Sequence, residues 1–395
     1  MTAGPAAAGE AAGAASRRLA VEVLERVEQG AYANLVLPAS LGRSDLDAAD
    51  RALVTDLVYG TLRRRRACDA AVAPFLERVP GGAAHQALRI GAYQLRWRRD
   101  IPPYAAVDAT VSAAPRRLRG LVNAVLRKVA AAADSPLDDA DELSYPDWVV
   151  DRLVADLGAE DARAALEQMN EPARPTVRAD GYTQDLASQW VVEAVGAGPG
   201  DLVVDVCAAP GGKATGLAAA GARVVAMDLH PQRVGLVRSN ARRLGHGPAV
   251  GLLVADAARP PLRPGLADRV LVDAPCSGLG VLRRRPDSRW RVDPAAPERL
   301  AAVQVALVEA AAALVRPGGE LVFSVCTLTA AESVGVDVEV RRRLPHLDPL
   351  APPGDPWRPW GSGAMLLPQV AGTDGMCLFR YRVGDGPGTA GPRDR

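Results

Sequence analysis

The sequence predicts an α/β protein in which an all-α domain precedes a domain built on a parallel sheet. Two observations carry this prediction. Apolar residues recur at helical spacing through the first third of the chain, and short apolar strands alternate with helices from about Gly181 onward. A length of 395 residues also suits two domains better than one.

The all-α domain is predicted for residues 16–133, with breaks at Pro74, Pro80 and Pro102. Its apolar residues, spaced as in amphipathic helices, include Leu19, Val23, Val27, Leu53, Leu57, Val58, Leu62, Leu88, Leu95, Leu118, Leu121, Val122, Val125 and Val129. Basic residues form three bunches, at 63–66, 96–99 and 116–128. These bunches either line solvated helix faces or bind the phosphates of RNA.

Residues 134–180 are expected to form a helical linker, with one helix in SYPDWVVDRLVADLG and an extended exit from it. The second domain is predicted for residues 181–383. Its strands are LVVDV, RVVAM, GLLVA, RVLVD and ELVFS, and MCLFRYRV adds one more near the end. Alternation of strands with helices predicts a parallel sheet covered on both faces. Residues 1–15 and 384–395, rich in Ala, Gly and Pro, are predicted to be disordered tails.

Net charge, the lengths of apolar runs and cysteine spacing argue against several classes of protein. The net charge of +1 gives no global field for a polyanion, so any RNA binding depends on local Arg clusters. No stretch of about twenty apolar residues is present, and the N-terminus lacks a signal-peptide pattern. The five cysteines are widely spaced without a CxxC pair, which argues against a metal site or a disulfide framework. We expect a cytoplasmic monomer with no membrane partner and no metal.

Aspartates and a glycine-containing loop follow the predicted strands. The loop CAAPGGK at 207–213 lets a ligand approach the backbone before a helix begins. The GxGxxG fingerprint of nicotinamide enzymes is absent. Strand ends carry Asp205, Asp228, Asp256 and Asp273. Each alone reads as a helix cap or loop acid, but together they suit a ribose, an adenine amino group and a cationic centre, and S-adenosylmethionine has all three.

Two cysteines follow strands in the same way. Cys276 lies on a Pro-Cys turn in VLVDAPCSGLGVL, and Cys326 ends the apolar run LVFSVC. Methylation of cytosine at carbon 5 requires a thiolate that first adds to carbon 6, and a nearby acid such as Asp273 can hold the base. Strand-end position alone allows either cysteine to be the nucleophile.

The segment RRRPDSRWR follows the first cysteine turn. It is either an ordinary exposed loop or an RNA contact in which arginines bind phosphates and the tryptophan stacks on a base. The predicted RNA-binding residues are Arg283, Arg284, Arg285, Arg289 and Trp290.

These motifs resemble those of the NOL1/NOP2/Sun family of RNA cytosine-5 methyltransferases. The resemblance rests on CAAPGGK, DAPCSGLG, RRRPDSRWR, VCTLTAAES and LLPQVAGTDGM. In the N-terminal part, DRALVTDLVYGTLR, ALRIGAYQL, IPPYAAVDATV and GLVNAVLRKV resemble the NusB-like helical domain of one branch. The resemblance implies a class I, Rossmann-like methyltransferase domain after a NusB-like RNA-binding domain. It also implies 16S ribosomal RNA of the small subunit as the partner.

The resemblance also assigns roles to residues. It implies that Cys326 is the nucleophile, that Cys276 assists product release and that Asp273 is catalytic. The implied contacts to S-adenosylmethionine are Cys207, Ala208, Ala209, Pro210, Gly211, Gly212, Lys213, Asp228, Arg233, Asp256 and Asp273.

The chain departs from the family pattern in its linker. Family members place a small RNA-recognition-like subdomain before the QDxAS helix, and here TVRAD runs almost directly into GYTQDLAS. Asp180 replaces a common Asn, and TAAES replaces a more acidic TPEEN. Two alternatives stay open: a non-catalytic NusB-like RNA-binding protein with a vestigial second domain, or a methyltransferase acting on transfer RNA.

Overall fold

The computed structural model describes residues 5–384, with side chains described from Gly13 onward. The chain forms two compact units. The first extends to Val150 and also contains Asn170–Pro172 and Leu282–Arg291. The second contains Asp151–Met169, Ala173–Val281 and the chain from Val292 onward.

The first unit is helical, as the apolar spacing predicts. Its helices are α1 (Pro5–Glu28), α2 (Ala33–Gly42), α3 (Ala48–Arg63), α4 (Arg65–Val72), α5 (Gly82–Trp97), α6 (Pro103–Ala113), α7 (Arg119–Ala131) and α8 (Asp139–Leu143). Residues 5–15, predicted as part of a disordered tail, begin α1. Residues 1–4 and 385–395, also predicted as disordered, lie outside the described residues.

Helix α5 is the centre of the first unit, because it packs against α1, α3, α4, α6 and α7. Its apolar face is fully buried at Leu88 and Ile90. Close approach of α3 depends on Gly60, where an added Cβ would lie 2.1 Å from the Tyr93 ring. A side chain at this position would separate the two helices.

The second unit alternates strands and helices. Helix α9 (Asp147–Leu157) enters it, and α10 (Ala159–Gln168), α11 (Leu186–Val195), α12 (Gly212–Ala219), α13 (Pro231–Arg243), α14 (Ala296–Ala312), α15 (Val334–Arg343) and α16 (Pro368–Ala371) follow. The strands are β1 (Leu202–Asp205), β2 (Arg223–Asp228), β3 (Val250–Val254), β4 (Ala267–Asp273), β5 (Val315–Val325), β6 (Leu347–Pro349), β7 (Arg358–Trp360), β8 (Gly363–Leu366) and β9 (Met376–Val383).

The described strands form one sheet in the order β3-β2-β1-β4-β5-β9-β8-β7, with β6 paired to β9. Strands β1 to β5 run parallel, which confirms the parallel sheet predicted from the alternating pattern. Parallel strands end at one edge, so the loops after β1, β2, β4 and β5 meet there. Strand β9 is antiparallel to β5. The sequence reading missed β6, β7 and β8.

A short hairpin at residues 176–184 stands where the family pattern places a subdomain. Val177 and Thr183 form a β-bridge across the hairpin. The Arg178 side chain donates a hydrogen bond to Gly212 O at 2.5 Å, which holds the hairpin against the start of α12. Tyr182 has the guanidinium of Arg178 at 4.9 Å from its ring centroid. Within residues 5–384, none of the helices has both the length and the apolarity needed to cross a bilayer.

Candidate active site

The carboxyl ends of β1 and β4 border a cavity of about 170 Å³ in the second unit. It is lined by Tyr182, Thr183, Gln184, Ser188, Asp205, Ala208, Ala209, Pro210, Gly212, Lys213 and Asp273. A larger cavity of about 340 Å³, bordered by Trp190, Trp357 and Arg380, contains none of the predicted site residues. The smaller cavity is therefore the candidate active site.

The loop after β1 forms the floor of this cavity. Ala208 N donates to Met227 O at 2.8 Å, which holds the loop against β2. Gly211 has φ of +105°, a conformation that glycine adopts without strain, and α12 begins at the next residue. An added Cβ at Gly212 would lie 3.0 Å from the Tyr182 ring. The amides at the start of α12 lie next to this loop, as a ligand-binding helix N-terminus requires.

Asp205 ends β1 and is completely buried. Neither of its carboxyl oxygens has a hydrogen-bond partner of ordinary geometry among the described residues. Burial, followed by the charge of Asp273, raises the pKa of Asp205 to about 7. A buried carboxyl group without partners is costly, so this position favours a ligand that donates hydrogen bonds.

We expect Asp205→Asn to change how stability depends on pH. The folded pKa of about 7 exceeds the unfolded value of about 4. The stability contributed by the protonated group is therefore present below about pH 4 and is lost as the pH rises through about 7. Asparagine does not titrate, so the stability of the variant relative to wild type should rise between about pH 5 and pH 7.

Urea denaturation of both proteins across this pH range measures the difference. Asp268→Asn is the matched control, because hydrogen bonds lower the pKa of that carboxyl group, beginning with the one from the Leu202 amide. The stability contributed by Asp268 is lost only as the pH falls below about 4. The difference in unfolding free energy between Asp268→Asn and wild type should therefore stay constant between about pH 5 and pH 7. A flat difference for Asp205→Asn would contradict the assignment of a raised pKa.

Asp228 ends β2, whereas Asp256, predicted to end a strand, lies in the loop two residues after β3, and the two acids differ in environment. Asp228 is buried, and its Oδ1 accepts a hydrogen bond from the His230 amide at 3.1 Å. Arg233 Nε lies 3.5 Å from Asp228 Oδ2, so these two residues, both predicted to bind the cofactor, form an ion pair. Asp256 is exposed, and its Oδ1 accepts from Ala258 N at 2.9 Å, as a loop acid does.

Asp273, at the end of β4, and Lys213, in the first turn of α12, form an ion pair. The distance from Lys213 Nζ to Asp273 Oδ2 is 2.6 Å, and Ser324 Oγ donates to Asp273 Oδ1 at 2.9 Å. Burial lowers the pKa of Lys213, but the charge and hydrogen bond of Asp273 outweigh it and leave the pKa raised. The lysine is therefore a permanent cation beside the acid.

The two strand-end cysteines meet, as their positions suggest. Cys276 Sγ and Cys326 Sγ are 3.2 Å apart, within hydrogen-bonding distance. The hydrogen bond to Cys326, together with burial, raises the pKa of Cys276 well above its usual value. Cys276 therefore keeps its proton. Cys207 is half-buried, and desolvation is the largest cause of the raised pKa of its thiol.

The structure corrects the RNA contacts predicted for RRRPDSRWR. This segment belongs to the first unit, where Arg283 and Arg289 are 4% and 0% exposed. Trp290 Nε1 donates to Leu62 O at 2.9 Å instead of facing solvent freely. Arg284 is half-buried, and of the five predicted residues only Arg285 is exposed. The sequence reading failed because an Arg-rich loop has the same composition whether it binds phosphates or packs inside the protein.

The basic bunches of the first unit also differ. In the first, Arg63 is buried and Arg66 contacts Asp141 and Asp147. In the second, Arg98 pairs with acidic side chains. The third is exposed and lies on and just before α7, with Arg116, Arg117, Arg119, Arg127 and Lys128. Of the three bunches, only this one has all of its basic residues exposed.

Comparison with known proteins identifies the family. A model described as 16S rRNA methyltransferase RsmB/F matches residues 194–377, and a NusB family model matches residues 14–131. Ribosomal RNA small subunit methyltransferase B of Thermus thermophilus is 38% identical, over 93% of this chain and 97% of its own length. The chain belongs to the RsmB/F family. The resemblance drawn from the sequence motifs is thereby confirmed.

Other matches agree with RsmB/F membership. A putative methyltransferase of Mycobacterium tuberculosis is 36% identical over 93% of this chain and 96% of its own length. The crystal structure of PH0851 has the same fold, with a TM-score of 0.75 at 20% identity, over 93% of this chain and 98% of that one. The RsmB/F fold and family are those of S-adenosylmethionine-dependent methyltransferases, so the chain is an enzyme of the methyltransferase class.

Several residues at this site were missed by the sequence reading. Ser324 was not singled out, although a serine inside the buried run ELVFS is a detectable signal, and neither was Glu332, which accepts a hydrogen bond from the Ser277 amide at 2.7 Å. Tyr182 and Gln184 line the cavity but come from the hairpin, whose sequence gave no indication of this position.

Proposed function

We propose that this protein methylates carbon 5 of a cytosine in 16S ribosomal RNA, with Cys326 as the attacking thiolate. One observation carries the proposal: a thiol pair 3.2 Å apart and a Lys–Asp pair 2.6 Å apart lie on adjoining loops. Ser324, two residues before Cys326, contacts the Asp273 carboxylate and so links the two pairs. Carbon 5 methylation needs both a nucleophile and groups that hold the base.

The cavity fits S-adenosylmethionine as the methyl donor. The buried carboxyl groups of Asp205 and Asp228 supply acceptors, and the Gly211–Gly212 turn allows close approach of a ligand to the backbone. Residues 207–213, Asp228, Arg233, Asp256 and Asp273 would hold it. When bound, S-adenosylmethionine supplies an electrophilic methyl group on a sulfonium centre.

The residues then have defined tasks. The Cys326 thiolate forms a bond to carbon 6 of cytosine, and the electron pair of the 5,6 double bond moves into the ring. Lys213 and Asp273 hold the ring nitrogen and amino group, which stabilises this addition. Carbon 5, now nucleophilic, takes the methyl group. Loss of the carbon 5 proton to a base then restores the double bond and expels the Cys326 thiolate.

Cys276 is the proposed base for that proton. Before the reaction, the hydrogen bond to Cys326 is the largest cause of the raised pKa of Cys276, and the charge of Cys326 also raises the pKa of Cys276. Once Cys326 is bonded to carbon 6, both contributions disappear. Cys276 can then release its own proton to water, and its thiolate accepts the proton from carbon 5.

RNA must also be held outside the cavity. We assign this task to the exposed bunch Arg116, Arg117, Arg119, Arg127 and Lys128, and to Arg285. Phosphate contacts of this kind give affinity without sequence preference. The target cytosine itself has to leave its stack to reach the thiols.

Methyl transfer from labelled S-adenosylmethionine tests the proposal. Purified protein is incubated with 16S ribosomal RNA, with assembled small subunits, or with transfer RNA, and 5-methylcytosine is mapped. We expect label at carbon 5 of a cytosine in 16S RNA. Label only in transfer RNA would favour that substrate instead, and RNA binding without transfer would favour a vestigial second domain.

We expect Asp228→Ala to weaken binding of S-adenosylmethionine by about 10- to 100-fold. The physical reason is loss of charge-assisted hydrogen bonds to the ribose hydroxyls, worth about 1.5–3 kcal/mol. Isothermal titration calorimetry with the full-length protein measures the affinity. Asp348→Ala, which removes an exposed acid on β6, is the control and should bind like wild type. Equal affinity of Asp228→Ala and wild type would remove Asp228 from the site.

A further inference from the structure

Glu332 is a fully buried acid in the loop between β5 and α15. Its Oε1 accepts hydrogen bonds from the Ser277 amide at 2.7 Å and from Gln304 Nε2 at 3.2 Å. Its Oε2 accepts from Ser277 Oγ at 2.5 Å, Thr329 Oγ1 at 2.9 Å and Thr327 Oγ1 at 3.3 Å. No cationic side chain in the described chain forms an ion pair with it. Hydrogen bonds alone therefore stabilise this buried carboxylate.

The donors to Glu332 belong to both cysteine loops. Ser277 directly follows Cys276, and Thr327 directly follows Cys326. Gln304, which comes from α14, also donates to the carbonyl of the residue before Cys276, at 2.9 Å. One carboxylate thus binds groups on either side of the thiol pair. A buried acceptor with this many donors resists movement of either loop, because each lost bond leaves an unsatisfied polar group.

The charge of Glu332 also acts on the thiol pair. The hydrogen bond to Cys326 and burial are the largest causes of the raised pKa of Cys276; the charge of Glu332 adds to them, and a backbone hydrogen bond from Gly278 opposes them. Lys213 and Asp273, which pair at 2.6 Å, are the charged groups on the adjoining loops, and Lys213 also interacts with the charge of Cys326. Glu332 therefore helps Cys276 to keep its proton.

We propose that Glu332 is a positioning residue for methyl transfer, which holds Cys276 and Cys326 at their reactive separation. The inference rests on the proposed function, because only that function uses both thiols. It assigns the acid in TAAES to the thiol pair.

Two substitutions separate geometry from charge. Glu332→Ala removes all the acceptors, and Glu332→Gln keeps an oxygen acceptor but removes the charge. With Glu332→Ala we expect kcat to fall about 100-fold while KM for RNA changes little, as a displacement of about 1 Å would cause. Glu320→Gln is the matched control, since Glu320 is a buried acid of the same unit that pairs with arginines. This control should keep the wild-type kcat.

A dithiol probe tests the geometry without RNA or cofactor. Phenylarsine oxide bonds its arsenic to two thiols, each thiol loses its proton, and one water is released. Wild type, Glu332→Gln and Glu320→Gln should bind it with similar affinity in the presence of a competing monothiol. Glu332→Ala should bind at least about tenfold more weakly, and Cys276→Ala, with one thiol of the pair removed, sets the baseline. Mass spectrometry identifies the bridged cysteines.

Alkylation by iodoacetamide across a pH range tests the charge. In Glu332→Gln, the pH at which Cys276 becomes reactive should fall below that of wild type, whereas a merely structural role leaves it unmoved.

Wild-type kcat and arsenical affinity in Glu332→Ala would overturn the proposal. If Glu332→Ala does not fold, Ser277→Ala removes one hydroxyl donor and should weaken arsenical binding in the same direction. A wild type that binds the arsenical but transfers no methyl group would refute the proposed function alone.

Discussion

Cys326→Ala is expected to abolish methyl transfer, with a loss of roughly 10⁴-fold or more. Without the thiolate, no bond forms at carbon 6, and carbon 5 of cytosine stays a poor nucleophile. Cys276→Ala should behave differently. It retains the nucleophile but lacks the base, so methylated RNA should stay bonded to Cys326. A denaturing gel of protein mixed with labelled RNA and S-adenosylmethionine would show this adduct as a slow band.

Further variants make this experiment decisive. The double variant Cys276→Ala/Cys326→Ala should give no adduct, which would identify Cys326 as the bonded residue. Cys68→Ala is the control, because Cys68 is buried in the first unit and belongs to no loop of the thiol pair. An adduct with Cys326→Ala, and none with Cys276→Ala, would reverse the two roles.

Arg289→Met is expected to lower the free energy of unfolding by about 3–5 kcal/mol. Arg289 Nη1 donates to Arg63 O at 2.9 Å, to Asn170 Oδ1 at 2.8 Å and to Ser144 O at 3.2 Å. Its guanidinium carbon lies 3.8 Å from the centroid of the Tyr145 ring. Methionine fills part of the volume but leaves these buried acceptors without donors.

Burial lowers the pKa of Arg289 to about 10, so the group stays charged at neutral pH and its hydrogen bonds are charge-assisted. Urea denaturation followed by circular dichroism measures the change in stability. Arg285→Ala, in the same segment but exposed, is the control and should change stability by less than about 0.5 kcal/mol. Equal stability of Arg289→Met and wild type would show that the buried bonds contribute nothing.

The segment Leu282–Arg291 acquires a structural role from these contacts. Asp287 accepts a hydrogen bond from the Ala33 amide at 3.2 Å, next to the start of α2. Arg291 donates to the carbonyls of Gly30 and Ala31, both at 2.8 Å. The segment therefore completes the first unit although it lies far along the chain. RNA contact, predicted from its composition, stays a prediction for Arg285, which is exposed.

Local sequence patterns were sufficient to predict the parallel sheet and the loop after β1 that forms the floor of the cavity. Val203 and Val204 are fully buried, as expected for a central parallel strand, and the loop CAAPGGK follows directly. Periodicity and loop composition depend on near neighbours in sequence, so they can be read without a structure. The short strands β6, β7 and β8 were missed because three or four residues carry too little periodicity.

By itself, the sequence determined the alternation of helices with β1 to β5, the final strand β9, the acids at and near strand ends, and the presence of two cysteines that follow strands. Tertiary structure alone decided that these thiols lie 3.2 Å apart and that Glu332 binds the loops of both. It also decided that Arg289 is buried, through a hydrogen bond to a residue 226 positions away. The physical reason is that burial and hydrogen bonding depend on residues brought together by folding, which no local pattern records.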